Sequence, residues 1–525
     1  MRTSDKYIDY AIIFACALIG ICFLEFRDLV YFRDYSIIFE GAYRLSLGQI
    51  PFRDFGMPVG PVSFLIPAIL FKVFEPNWTY FMWSQQVLNV FQLFLIYCIF
   101  SKLNISPLVK RGAVVLHAVL YLTFLTHPWY NVSGWIMMLA AGLFALGSNR
   151  ISFALAGLFA GLAFLAKQDF GILSFVISII FISVKSIGFQ NNFDLRALKN
   201  RKNINDLISN LIVFLLFAAL IIFAFIYGTD VEKFGYWFNY GQEPHKHRLL
   251  HMGALLTIAF GLTLVFIGLI FKSFSIFIAA IFITAALVTK ETSGLFFTHY
   301  YYVSFSFILM MELWRLKIKY FFRLPVIVIL SAMLLTGPVR HFYYIFEAVL
   351  LNQPEPFNFN YRNVSAPVKK FPPELQAFKG SIAPQQTIDT VLRLKLIKER
   401  WNVSNQEKRN FRVLNISELT PIYSELNVEP PFQLPLWFHT NISLFPSEIE
   451  KINSIFLAGY YDLVLLQGTH EGFSDVYKEF KLNINLSDAY LLLGVVDATP
   501  TNATCKNKCD GELYVYINKR IKHLL

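Results

Sequence analysis

Between positions 27 and 54 the chain gathers Arg27, Asp28, Arg33, Asp34, Glu40, Arg44, Arg53 and Asp54, the densest charge among otherwise apolar segments. A carboxylate in such company can take a proton from a hydroxyl or amine. The cations can hold an anionic leaving group such as a phosphate. Further on, Lys167 closes the apolar run LAFLA and is followed by Asp169, while Lys290 and His299 stand in KETSGLFFTHYYY. The stretch 229–251 adds Tyr236, Trp237, Tyr240, His245, Lys246, His247, Arg248 and His251. Aromatic faces there suit sugar stacking, and cations suit phosphate contacts. Each feature also has a plain structural reading. Asp34 is placed to cap a helix. Asp54 sits beside Arg53 as a solvated turn acid. Glu40 shares a helical face with Arg33 and Arg44, an ion-paired surface stripe that could also touch substrate. Lys167 could snorkel to a membrane surface, and the tyrosine-rich stretch could form an aromatic belt.

The elements that must position these groups are mostly apolar. Of the 525 residues 56% are hydrophobic and 15% charged, against about a quarter charged in soluble domains. Runs of ~20 apolar residues, enough to cross a ~30 Å hydrocarbon core, recur along the first two thirds. The reading is an α-helical polytopic membrane protein with spans at 8–25, 79–101, 109–126, 132–148, 151–166, 170–188, 207–227, 251–271, 274–289, 299–313 and 323–337. The run 62–74 is too short to cross comfortably and is assigned to the first loop as an interfacial or re-entrant helix. Positive charge supports this parity. Lys102, Lys110, Arg111, Arg150, Lys185, Arg196, Lys199, Arg201, Lys202, Lys272, Arg315, Lys317, Lys319 and Arg323 then fall on the cytoplasmic side. The net charge of +11 is thereby read as one-sided loop charge and not as a nucleic-acid surface. The loop 26–78, Lys167, the 228–250 loop, Lys290 and the tail fall outside.

Within the loop, a helix is expected over 35–47, capped by Asp34 and stopped by Gly48 in the left-handed conformation. Pro51, Gly56, Pro58, Gly60 and Pro61 then make a bent passage. After Gly337 the long apolar runs end. Residues 341–385 read as a linker, and 386–525 as a small α/β domain, with strands at 411–416, 461–466 and 490–496 and helices at 387–400, 419–426 and 447–458. Cys505 and Cys509 could form a disulfide in an external tail. No phosphate-binding glycine loop and no metal-spaced His/Cys cluster is found.

An acid opening a short amphipathic helix, then GQIPFRDF, then VGP before an apolar run, resembles the first external loop of the GT-C glycosyltransferases, among them protein mannosyltransferases and aminoarabinose transferases. The resemblance implies a sugar delivered on a polyprenyl phosphate and passed to a glycan, lipid or protein acceptor outside a bacterial inner membrane. It implies Asp34 as the general base of an inverting displacement. The second acid is missing or supplied by Asp54 or Glu40, and Lys167 is expected to face the donor phosphate. The residues themselves also offer Arg248 and Lys290 as donor-phosphate contacts, Asp54 as a second catalytic acid, and Glu40, Tyr240, His245 and His299 as substrate contacts. A divalent cation, Mg2+ or Mn2+, on Asp34 or Asp54 is the one cofactor left open, because the second of two adjacent acids seen in many members is Tyr35 here. A lipid-linked glycan transporter, or a polysaccharide polymerase or ligase, is the alternative. The span centres are nearly free of charge, which speaks against transport.

Overall fold

The computed structural model describes residues 3–22, 28–29, 33–57, 59–122, 128–186, 201–230, 234–235, 237, 252–293, 301–316, 320–334, 368–404, 409–436, 438, 444, 446–467, 474–497 and 512–525. Among them, helices overlie each of the expected spans: α1 (Thr3–Cys22), α4 (Trp78–Ser101), α5 (Pro107–His117, continued by a π-helical turn Ala118–Leu122), α6 (Tyr130–Ala145), α7 (Arg150–Ala166), α8 (Gln168–Ser186), α9 (Arg201–Tyr227), α10 (Met252–Ile270), α11 (Phe274–Ser293), α12 (Val303–Arg315) and α13 (Tyr320–Leu334). Four of these helices, lying within 78–101, 168–186, 202–227 and 274–291, are long and apolar enough to cross a bilayer by length and composition. Leu216, Leu220 and Phe223 on α9 stay exposed, as expected of a face turned to lipid.

The bundle is built from pairs in close approach. At Gly157 of α7 a Cβ would lie 2.1 Å from the Phe214 carbonyl oxygen of α9, so the two backbones touch, as small residues permit between helices in lipid. At the other end of the bundle from the first loop, Asp9 of α1 is buried and binds Tyr97 Oη at 2.8 Å, Lys110 Nζ at 2.6 Å and Arg111 Nε at 2.7 Å. Lys110 and Arg111 lie in the first turns of α5, where Asp9 compensates their charge. The span interiors also hold uncharged polar groups. Gln92 and His117 sit 2.9 Å apart between α4 and α5, and Gln85 bonds Asn89 one turn away on α4.

Two short helices belong to the first loop, α2 (Arg33–Ser46) and α3 (Val62–Val73). They run antiparallel, because Gly41 faces the ring of Phe64 while Phe39 meets Phe71. Twelve residues make α3 about 18 Å long, short of the bilayer core. Its two ends abut one assembly. Gly60, just before it, lies against the end of α7. Pro76, just after it, accepts a bond from Ser424 of the C-terminal part, which in turn binds residues 36–56.

The C-terminal part is an α/β sandwich. Its sheet runs β4 (Val413–Ile416), β5 (Leu463–Gln467), β7 (Glu512–Asn518), β6 (Tyr490–Asp497), with β4 and β5 parallel and the other neighbours antiparallel. Side chains alternate along the strands. Val413, Leu463, Leu465, Val515 and Ile517 share a cluster with α14 (Gln385–Ser404). Leu414, Ile416, Val464 and Leu466 share another with α16 (Pro446–Leu457) and α17 (Ser474–Leu486). A one-turn helix, α15 (Ile422–Glu425), follows β4. Within the expected linker, β2 (Val368–Lys370) pairs β3 (Ser381–Pro384), and β3 pairs in parallel with β1 (Asp28–Leu29). Cys505 and Cys509 lie outside the described residues.

The sandwich turns on Asp462, which is fully buried. Arg409 donates to both its oxygens at 2.8 Å, Arg520 Nε at 2.9 Å and the Arg412 amide at 3.0 Å. Burial alone would raise this carboxyl, but the Arg409, Arg412 and Arg520 donors outweigh it and hold it below 3.8. A group depressed on folding stabilises the fold above its ordinary pKa. Asp462→Asn is expected to cost on the order of 2–3 kcal/mol, read as a lower Tm of the detergent-solubilised protein. The wild-type advantage over that variant should be complete above about pH 3.8 and vanish as pH falls further.

Candidate functional site

Lys167 interrupts the helices. It is extended (φ −162°, ψ 134°) between α7 and α8, so its side chain leaves the bundle end instead of continuing a helical face. Its Nζ donates to Asn131 Oδ1 at 2.8 Å, lies 3.3 Å from Asp169, and stands 5.7 Å and 5.8 Å from the ring centres of Tyr130 and Phe170. Asn131 is wholly buried in the first turn of α6. Lys290 ends α11 beside Glu291 at 3.5 Å. The alternation of α6, α7, α8 and α11 puts these groups at one end of the bundle.

The first loop docks on that end. Gly60 approaches so closely that a Cβ there would lie 2.0 Å from the Leu165 carbonyl oxygen. Upstream, residues 50–55 form a tight turn. Asp54 Oδ2 accepts the Ile50 amide at 2.7 Å, Phe52 N–H donates to Phe55 O at 2.9 Å, and Phe52 takes φ +61°. The turn drives the Phe52 ring among Phe225, Phe234 and Trp237, whose carbonyl accepts from Gln168 beside Lys167. Asn131, Gln168 and Phe52 were not chosen from the sequence. The PFRDF motif was the available signal for Phe52, and nothing marked Asn131 except its place next to Trp129 and Tyr130.

Asp54 is largely committed to this turn. Both its oxygens receive bonds from Arg53, at 2.9 and 2.8 Å, besides the amide bond from Ile50. Among the described residues no three His, Cys, Asp or Glu side chains converge on one point.

Glu40 does not lie on a surface stripe. It is 3% exposed and Arg44 1%. Arg44 Nε and Nη2 donate to Glu40 Oε1 at 2.9 and 2.7 Å, and its Nη1 reaches Gln49 and the Pro431 carbonyl. The α/β domain covers the face that sequence reading assigned to solvent. Burial pushes the Glu40 carboxyl up, with Arg44 pulling the other way.

Asp34 is the second residue of α2, inside the first turn and not before it; its side chain lies outside the described part, as do Tyr240, His245, Arg248 and His299. Its end of α2 faces the C-terminal end of α3, whereas Lys167 lies at the N-terminal end of α3. The structure brings Lys167, Asp169, Asn131 and the Phe52 turn together.

Along 98% of its length the chain is similar to two crystal structures of ArnT from Cupriavidus metallidurans, each covered over 98% at 10% identity: one bound to undecaprenyl phosphate, with a TM-score of 0.48, and one in the apo state, with 0.42. No family model matches the chain, and no curated protein sequence matches it.

The contact at Gly60 is backbone on backbone, so no rotamer change can relieve an added methyl. Gly60→Ala is expected to destabilise by about 1–3 kcal/mol or more, lowering Tm in detergent. Gly235→Ala, with nothing within 4 Å, is expected to leave it unchanged.

Proposed function

We propose that this chain is a membrane glycosyltransferase that moves a sugar from a polyprenyl-phosphate carrier to an envelope glycan, lipid or protein acceptor on the outer side of a bacterial inner membrane. The observation that carries the reading is the placement of the loop with the acid-helix-GQIPFRDF pattern. It lies flat on one end of an apolar bundle, beside Lys167, under an α/β domain that touches the same loop. A lipid-borne donor reaches such a place from within the bilayer and the acceptor from the aqueous side. With the basic ends Lys102, Arg150, Lys185 and Lys272 inside, that face and the α/β domain lie outside.

Asp34 is assigned as the base. It takes the acceptor proton while the acceptor oxygen or nitrogen attacks the anomeric carbon and the phosphate leaves, which inverts that centre. Asp34 at the covered end of α2 is preferred over a centre at Lys167 and Asp169, because those two hold each other and Asn131 in a closed set.

A second reading, a transporter of lipid-linked glycans, is favoured by the uncharged polar run Gln85, Asn89, Gln92 and His117 within the spans. Mass analysis of envelope glycans separates the two. For the transferase, Asp34→Asn removes a sugar from the product by 100-fold or more, as loss of a general base does, while Lys167→Met lowers it less than 10-fold at equal membrane protein. The opposite ranking would move the centre to Lys167. Unmodified donor accumulating inside, with Asp34→Asn fully active, would favour transport.

A further inference from the structure

The helix bearing Asp34 is fastened along its length by a domain that begins more than 300 residues later. Before it, Asp28 and Leu29 pair with Ser381 and Ile382. Within it, Ser36 Oγ donates to the Glu418 carbonyl at 2.8 Å and Tyr43 Oη to the Val428 carbonyl at 3.5 Å. At its C-terminal end Arg44 Nη1 donates to the Pro431 carbonyl at 2.7 Å, and Gln49 Nε2 to that of Pro430 at 3.1 Å. Beyond it, the amides of Gln433 and Leu436 bond the Asp54 and Gly56 carbonyls. Residues 418–436 thus run beside 36–56 as a strap. At its middle lies the one buried ion pair of α2 among the described residues, Glu40 with Arg44, the guanidinium also 5.3 Å from the Phe55 ring centre.

A buried ion pair is a poor source of stability, because desolvation offsets most of its attraction, and apolar residues of similar volume commonly serve as well. What the guanidinium fork supplies is geometry. It fixes its bonds to Glu40 and to the Pro431 carbonyl at once, and so sets the rotation of α2 and its register against the strap. An apolar pair would fill the space and let the helix slide. We propose that Glu40 and Arg44 are positioning residues for the base: they key the strap 428–436 to α2, and the α/β domain thereby sets where Asp34 stands. This rests on the assignment of Asp34 above.

The test uses full-length protein at matched membrane levels, with the envelope-glycan product read by mass analysis and Tm read in detergent. The double variant Glu40→Met with Arg44→Leu is expected to keep Tm within about 2 °C and to lose product by 10-fold or more. Arg44→Lys keeps the charge and loses the fork, and is expected to lose product by a similar factor. A disulfide across the paired positions, Asp28→Cys with Ser381→Cys, added to the double variant, is expected to recover at least half of the lost product when oxidised and to lose it again on reduction. Product retained in the double variant, or in Arg44→Lys, overturns the proposal. So does loss that tracks Tm and is untouched by the tether. Asp34→Asn run alongside separates the two claims: if it stays active, the base assignment fails, whereas an inactive Asp34→Asn beside a fully active double variant sinks only the clasp.

Discussion

The structure depends on how the first loop satisfies its backbone. Residues 49–57 contain Pro51 and Gly56 and form neither a helix nor a hairpin. Their polar main-chain groups need partners wherever they are covered. A local turn answers part of the need, through Asp54 and the Phe52–Phe55 bond. The strap 430–436 answers the rest, with amides to Asp54 and Gly56 and carbonyls to Arg44 and Gln49. Loop and domain are each incomplete at this seam without the other. One apolar cluster accordingly runs from the bundle through Phe39, Phe52 and Phe55 into Tyr423, Leu426 and Leu436 of the domain.

Charge follows the same logic in three places. Asp9 holds two cations between α1 and α5, Glu40 holds Arg44 under the domain, and Asp462 holds two arginines in the sandwich. Each carboxylate is nearly inaccessible, and each joins segments distant in sequence or keys a helix to a distant strap. Such groups specify an arrangement more than they stabilise it. The contrast with Lys167 is informative. Its ion pair with Asp169 is local and about a quarter exposed, so it orients a side chain at the bundle end without joining distant parts.

What was legible in the sequence was set by local rules. Apolar length located the helices, and left-handed Gly48 ended α2 as expected, at φ +89°. The short run 62–74 forms the twelve-residue helix α3. Strands β4, β5 and β6 showed as short apolar runs. What was hidden was set by long-range pairing. Strand β7, central in the sheet, follows a stretch of Asn, Lys and Cys that breaks the pattern around it. Strands β2 and β3 looked like linker because they are three and four residues long and β3 finds its other neighbour in the distant two-residue β1. Glu40 looked like surface because helical periodicity reports which residues share a face, not what covers it. Asp9 was overlooked because a single acid in the first turns of an apolar run has no local signature.

The pairing of β1 with β3 also has a bearing on biogenesis. A chain is made from its beginning, so Asp28 and Leu29 are in place long before Ser381 and Ile382 are made. Throughout that interval the first loop waits with open backbone groups while the later helices are threaded. Contacts of such sequence separation form late. The first sheet can therefore close only after residues 381–382 have been made, and a chain halted before that point would leave β1 without its neighbour.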